Sequence, residues 1–379
     1  MKVYMFPGQG AQSKGMGGDL FDRFKELTDR ADSILGYSIK ELCLEDPENK
    51  LHNTQFTQPA LYVVNALSYL TKIEDTGQVP HFVVGHSLGE FNALMAAGCF
   101  DFETGLRLVQ KRGELMGQVS NGAMAAVLNA TKDEIEKALK ANGLNNVYLA
   151  NYNTPSQIVL SGLVDEIVRA EKLFQDGKMR YYPLAISGAF HSAFMRDAME
   201  QFKEYLKGFK FADQKIPVIA NVTARPYRNE AILETLSSQI ASTVRWSESI
   251  QYLLAVGVSR GVAAEFEELG QGDVLTKLIY TIKAQTPQAV LQQYINEELS
   301  GERNSSEDEK ESPVKPTHAK EKVAAWNKRY PVGTKVKSSI ADYDSLETRT
   351  EAVVLFGHRA AVYMKGYNGY FDLDELTPA

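Results

Sequence analysis

Cysteine is scarce in this chain. Cys43 and Cys99 stand far apart, which excludes a disulfide framework and a cysteine-built metal cluster. Basic charge is not in excess either: 41 Lys and Arg face 48 Asp and Glu, a net charge of -7, and no basic run offers a phosphate-tracking surface. A nucleic-acid partner is therefore not expected. Long apolar runs are missing too, with no stretch near the ~20 residues of a membrane span. The N-terminus enters Val-Tyr-Met-Phe and a glycine turn without a charged leader and apolar segment. A cytoplasmic protein without a membrane partner is the expectation. What is present, 44% hydrophobic and 23% charged residues over 379 positions, suits one large globular domain and a smaller one.

Residues 1 to about 287 alternate strand and helix signals. Lys2 to Phe6 is a short apolar strand that runs into the turn Pro-Gly-Gln-Gly-Ala-Gln. Thr104 to Gln118 carries Leu106, Val109, Leu115 and Met116 at helical spacing. Such alternation predicts an α/β fold, a parallel sheet covered by helices. The rhythm changes between Gly122 and Ile186. Strand signals at 123–128, 147–150, 157–161 and 180–186, with helices at 132–141 and 164–174, give β-α-β-β-α-β, the order of an inserted ferredoxin-like subdomain. The expected core is thus 1–121 with 187–287, and the insertion 122–186.

From Glu297 to Lys322 the composition becomes too polar to bury a core, so 288–325 is expected to be a flexible linker. Residues 326–379 are β-like, with strand candidates at 334–338, 351–356 and 360–365 and a Tyr-Asn-Gly turn, and predict a small SH3-like barrel. Seven acidic and seven basic residues balance within it, so its partner is not obviously a polyanion.

The most informative segment is His81-Phe-Val-Val-Gly-His-Ser-Leu-Gly-Glu90. An apolar strand breaks into Gly-X-Ser-X-Gly and then into a helical pattern, the signature of a nucleophile elbow with Ser87 at its tip. Gly85 and Gly89 remove side chains that would crowd the turn. The helix that follows opens with amide groups whose positive end suits an oxyanion. Acyl transfer or hydrolysis through an acyl-serine follows. Gly-X-Ser-X-Gly also arises by chance in loops, and the strand before and helix after are what favour catalysis here.

Ser87 needs a base, and the chain has six histidines. His52 lies in a polar loop-like stretch, His81 precedes the strand, His318 is in the linker and His358 in the tail. His86 adjoins the serine, where neighbouring side chains diverge. His191 remains, at the junction where the insertion returns to the core, although a histidine there could equally start a helix or fill a core.

In order along the chain stand Gly-Gln-Gly-Ala-Gln, Gly-His-Ser-Leu-Gly-Glu, Gln110-Lys-Arg-Gly-Glu-Leu-Met116, Gly188-Ala-Phe-His-Ser192 and Asn221-Val-Thr223. Val244-Arg-Trp246 and Glu268-Leu-Gly-Gln-Gly-Asp-Val-Leu-Thr276 follow. With these motifs the first 285 or so residues resemble malonyl-CoA:acyl carrier protein transacylases. The Gly-Ala-Phe-His form and the extra tail most resemble stand-alone acyltransferases that serve modular polyketide synthases. The resemblance implies an α/β-hydrolase-like core, a Ser87–His191 dyad with the Gln239 backbone carbonyl orienting the histidine, and an oxyanion hole from the Gln9 and Leu88 amides. It implies malonyl-CoA and the phosphopantetheine of an acyl carrier protein as substrates, no bound cofactor or metal, and a monomer. Gln271 and Ala193 stand where proline is commoner in the family.

Arg112 would grip the malonyl carboxylate through two parallel hydrogen bonds. In a dry pocket an acetyl group would leave that cation unpaired, at roughly 2–5 kcal/mol or about 30- to 4,000-fold. Phe190 and Leu88 point, by the same resemblance, to malonyl rather than branched units. Met116, one turn after Arg112, is a candidate pocket wall or an ordinary core residue. Two rivals stand beside the transferase: an acyl hydrolase that clears stalled chains from carrier proteins, and a binding protein that kept the fold alone. For the tail, a docking module is the favoured expectation.

Overall fold

Apolar strands too short to be amphipathic along their length are buried on both faces, and that requirement organises the core. In this computed structural model, which describes residues 1–308, 317–338, 346–355, 359–366, 370–373 and 376–378, β1 (Lys2–Phe6) and β2 (Phe82–Gly85) pair in parallel. Tyr4 and Phe6 face the helices Thr54–Thr76 and Phe102–Gly117, whereas Val3 and Met5 face Trp246–Ser259 and Val274–Gln285. All four side chains are fully buried, as the continuous apolar run requires of a parallel strand covered on both sides.

The chain then leaves the sheet. β3 (Gly122–Leu128), β4 (Val147–Thr154), β5 (Gln157–Leu163) and β6 (Arg180–Ser187) form an antiparallel sheet in the order β4–β5–β3–β6. Helix Lys132–Ala141, opened by a Thr131–Glu134 capping box, and helix Val164–Ala170 bury Ile135, Leu139 and Ile167 against it. β7 (Val218–Ile219) and β8 (Glu265–Glu268) return to the first sheet, completing the parallel order β7–β2–β1–β8. The inserted sheet is tied to the segment that leads into helix Trp246–Ser259, where Tyr152 N–H donates to the Val244 carbonyl at 2.9 Å and Val244 N–H donates to that of Ala150 at 2.8 Å.

The expectation of a flexible linker over 288–325 is corrected. Gln288–Asp308 and Thr317–Arg329 are helices, and only 309–316 of that stretch lie outside the described residues. The reason is an apolar stripe: Val290, Leu291, Tyr294 and Ile295 share one face and pack on the core. The Arg225 guanidinium sits between the rings of Tyr252 and Tyr294, 5.0 and 4.7 Å from their centroids, and pairs with Glu297.

In the tail, β9 (Lys335–Ser338), β10 (Leu346–Glu347), β11 (Val353–Leu355), β12 (Arg359–Tyr363), β13 (Tyr370–Asp372) and β14 (Leu376–Pro378) make two three-stranded antiparallel sheets. Their orders are β10–β9–β14 and β11–β12–β13. Val323 and Trp326 of the preceding helix pack on the tail's apolar cluster, so this helix belongs with the tail. Ala361 and Tyr363 join the main core, and Arg349 pairs with Glu74 at 3.9 Å. Phe356, His358 and the Tyr-Asn-Gly turn at 367–369 lie outside the described residues.

Candidate active site

β2 ends at Gly85 and the helix Gly89–Ala96 begins four residues later, so the chain reverses within His86-Ser87-Leu88. Ser87 has φ 51°, a left-handed conformation that non-glycine residues hold only under constraint. The flanking glycines supply that constraint: a Cβ on Gly85 would overlap the Gly89 backbone, and one on Gly89 would overlap the Phe6 carbonyl. The elbow therefore stands at the C-terminal edge of the parallel sheet, where crevices form. Asn221 locks it, accepting from Ser87 N–H at 2.7 Å and donating to the Gly85 carbonyl at 2.7 Å.

His191 reaches Ser87 from the loop after β6, with Nε2 2.8 Å from Oγ. Its Nδ1 lies 2.9 Å from the Gln239 carbonyl oxygen, which only accepts. That contact fixes the proton on Nδ1 and leaves the Nε2 lone pair facing the serine hydroxyl. Burial, and then the nearby Arg112 charge, push the imidazole down to about 3, so it is neutral at ordinary pH and its Nε2 lone pair is unprotonated. Among the described residues no carboxylate touches His191. His86 turns away as expected, with Nε2 2.8 Å from Asn153 Oδ1 of the inserted sheet.

The helices Thr54–Thr76 and Phe102–Gly117 approach closely because Gly113 lies against the Thr54 backbone, where an added Cβ would stand 3.1 Å from the carbonyl oxygen. That approach sets Gln58 beside Arg112. The guanidinium is 1% exposed and donates to Gln58 Oε1 at 2.5 Å, Gln239 Oε1 at 2.9 Å and Ser87 Oγ at 3.0 Å. All three acceptors are neutral, and among the described residues its Nε has no partner. Desolvation lowers its pKa to about 10, so it remains a cation.

A cavity of about 470 Å³ opens above Ser87, and Gln9, Leu88, Met116 and Phe190 line it together with Arg112 and His191. Among the described residues neither the Gln9 nor the Leu88 N–H donates within the protein, whereas Ser87 N–H is taken by Asn221. Two free amides beside a serine–histidine pair can accept an oxyanion. Met116 Sδ also lies 3.5 Å from Gln58 Nε2, at the wall beneath Arg112. His52 lines the mouth.

The Gln239 side chain counts for more than its sequence context suggested. Its Nε2 donates to the Ser87 carbonyl at 2.8 Å and to Glu90 Oε2 at 3.1 Å, while its Oε1 receives Arg112. Gln58, Glu90 and Asn221 were not singled out in the sequence. Glu90 and Asn221 stand within motifs already quoted, whereas Gln58 carries no such signal, and the burial of all three arises from tertiary packing.

The acyl transferase domain family matches residues 3–269. A polyketide biosynthesis malonyl CoA-acyl carrier protein transacylase of Bacillus subtilis is 57% identical over 285 residues, covering 75% of this chain and 97% of that protein. The crystal structure of a malonyl CoA-acyl carrier protein transacylase from Burkholderia pseudomallei is 61% identical with a TM-score of 0.75, covering 76% of this chain and 99% of that one. A malonyl-transacylase in complex with its type II polyketide acyl-carrier protein is 32% identical with a TM-score of 0.70, over 78% and 99% of the two chains.

Proposed function

The chain belongs to the acyl transferase domain family, and from that membership we propose that it carries malonyl groups from malonyl-CoA to the phosphopantetheine thiol of acyl carrier proteins in polyketide synthesis. The observation that carries the substrate assignment is Arg112, a buried cation beside the nucleophile with three neutral partners and an unpartnered Nε. A buried charge without a counter-ion in contact is costly, and a substrate carboxylate supplies one.

His191 Nε2 takes the Ser87 proton as Oγ attacks the thioester carbonyl. The Gln9 and Leu88 amides receive the tetrahedral oxyanion. His191 then protonates the departing CoA sulfur, which leaves malonyl-Ser87. A pantetheine thiol enters, gives its proton to His191 and attacks the ester, and Ser87 leaves with that proton. The Gln239 carbonyl holds the imidazole throughout, and Phe190 and Met116 bound the acyl end of the cavity.

The relatives named above support polyketide carrier proteins as acceptors. The test is to load the enzyme with labelled malonyl-CoA, remove the excess, and offer either phosphopantetheinylated carrier protein or buffer. Label passing to the carrier protein much faster than it appears as free malonate supports the transferase; the reverse order makes the enzyme a hydrolase.

We read the inserted sheet as ferredoxin-like, the tail as SH3-like, and the tail as a docking module for the synthase. It lies beyond the matched residues 3–269, and none of its described residues lines the cavity. A folded variant lacking 317–379, the tail together with the helix that packs on it, should load malonyl as before and bind the synthase less tightly. Loss of self-loading in that folded variant would contradict docking.

A further inference from the structure

Glu90 closes the elbow motif and no side chain in the core is more thoroughly enclosed. Its Oε2 accepts from Asn221 N–H at 2.9 Å and Gln239 Nε2 at 3.1 Å, and its Oε1 accepts from the Tyr227 hydroxyl. The same Gln239 amide offers its oxygen to Arg112 at 2.9 Å. One amide thus joins the site's buried carboxyl to its buried cation. Were that amide reversed, its NH2 would face the guanidinium, donor against donor, and its oxygen would face the carboxylate.

Resting on the malonyl-transfer reading above, we propose that Glu90 is a positioning residue and the buried counter-charge of Arg112, and that arrival of a substrate carboxylate on Arg112 drives Glu90 to take up a proton. In the empty site one cation and one carboxylate balance across Gln239. A malonyl carboxylate adds a second anion to a dry enclosure, where two anions sharing one cation cannot both stay ionised cheaply. A solvent proton then converts Glu90 to the acid, which still accepts through one oxygen and turns its own O–H to a neighbour. The charged and titratable groups facing Glu90 are Tyr227, whose hydroxyl is held well above its usual range by burial and by Glu90 itself, and Arg112, with His191 beyond Gln239. Burial raises the Glu90 carboxyl to about 7 in the empty site, which puts the exchange within reach of ordinary buffers.

The experiment is the KM for self-loading of the full chain between pH 6 and 9, with malonyl-CoA and with acetyl-CoA, in the wild type and in Glu90→Gln. In the wild type, KM for malonyl-CoA should rise above pH 7 towards tenfold per unit, while KM for acetyl-CoA should not. Glu90→Gln should flatten the malonyl profile. The same slope in Glu90→Gln, or an equal slope for acetyl-CoA in the wild type, would overturn the inference. If Glu90→Gln does not fold, calorimetry of wild-type loading at pH 8 in two buffers of different ionisation enthalpy gives the answer: proton uptake with malonyl-CoA alone supports it, and none refutes it. Ser87→Ala separates the two claims, since loading that persists there defeats the active-site reading, whereas Ser87-dependent loading without the pH effect defeats only the role of Glu90.

Discussion

Arg112 Nη2 donates to Ser87 Oγ across 3.0 Å, so the cation suited to a substrate carboxylate rests, in the empty site, on the nucleophile itself. On the malonyl reading proposed above, a substrate carboxylate would draw the guanidinium off Oγ and uncover the oxygen lone pair that attacks the thioester, while His191 Nε2 already holds the hydroxyl at 2.8 Å. That proposal would make selection of the acyl group and uncovering of the nucleophile one event.

Replacing this arginine should therefore do two things at once. Arg112→Ala should lower malonyl loading by about 30- to 4,000-fold, the value of a buried charge pair worth roughly 2–5 kcal/mol. Acetyl loading should hold or rise. Steady-state rates with both thioesters check this, and undiminished malonyl loading would rule out the carboxylate role.

The pH dependence of the chemical step follows from His191. Its pKa is lowered to about 3, so the basic form persists as pH falls and is lost only near that value. Loading at saturating malonyl-CoA should stay flat from pH 8 to pH 5. An imidazole with the unperturbed value of about 6.5 would already have lost about 30-fold at pH 5.

Glu90 gives the opposite sign in stability. Its native carboxyl titrates at about 7 and its unfolded one near 4.5, so between those values the native state holds a proton that the unfolded chain has released. Stability should fall as pH rises through this window, by about 3 kcal/mol from this group. Denaturant titrations of the wild type and Glu90→Gln should differ in that slope, the variant being flatter.

The elbow glycines leave no room for change. Gly85→Ala or Gly89→Ala drives a methyl into backbone atoms that cannot move without displacing β1 or β2, and should cost about 3 kcal/mol or more. Thermal unfolding measures the loss, and Ser87→Ala, with the same backbone, should unfold near the wild type.

Much of this was legible in the sequence because the chemistry sits on local patterns. Gly-X-Ser-X-Gly at a strand end fixes the Ser87 turn by sterics alone, and the rarity of histidine leaves few partners for it. The helix at Lys132–Ala141 was readable from its amphipathic pattern alone. Gln58, Glu90 and Asn221 were not, because polar residues on a helix or loop carry no mark of burial until two helices or two loops converge on them. The helix Gln288–Asp308 was missed for another reason. Its polar composition hides a stripe of four apolar residues that become a core face only against Trp246–Ser259.

The most direct measurement is the intact mass of the protein after brief incubation with malonyl-CoA, for the wild type and Ser87→Ala. A malonyl-sized adduct that needs Ser87, persists in buffer and disappears on addition of phosphopantetheinylated carrier protein is the result expected. An adduct that survives Ser87→Ala, or one that decays in buffer as fast as with carrier protein, would contradict a malonyl-serine transferase.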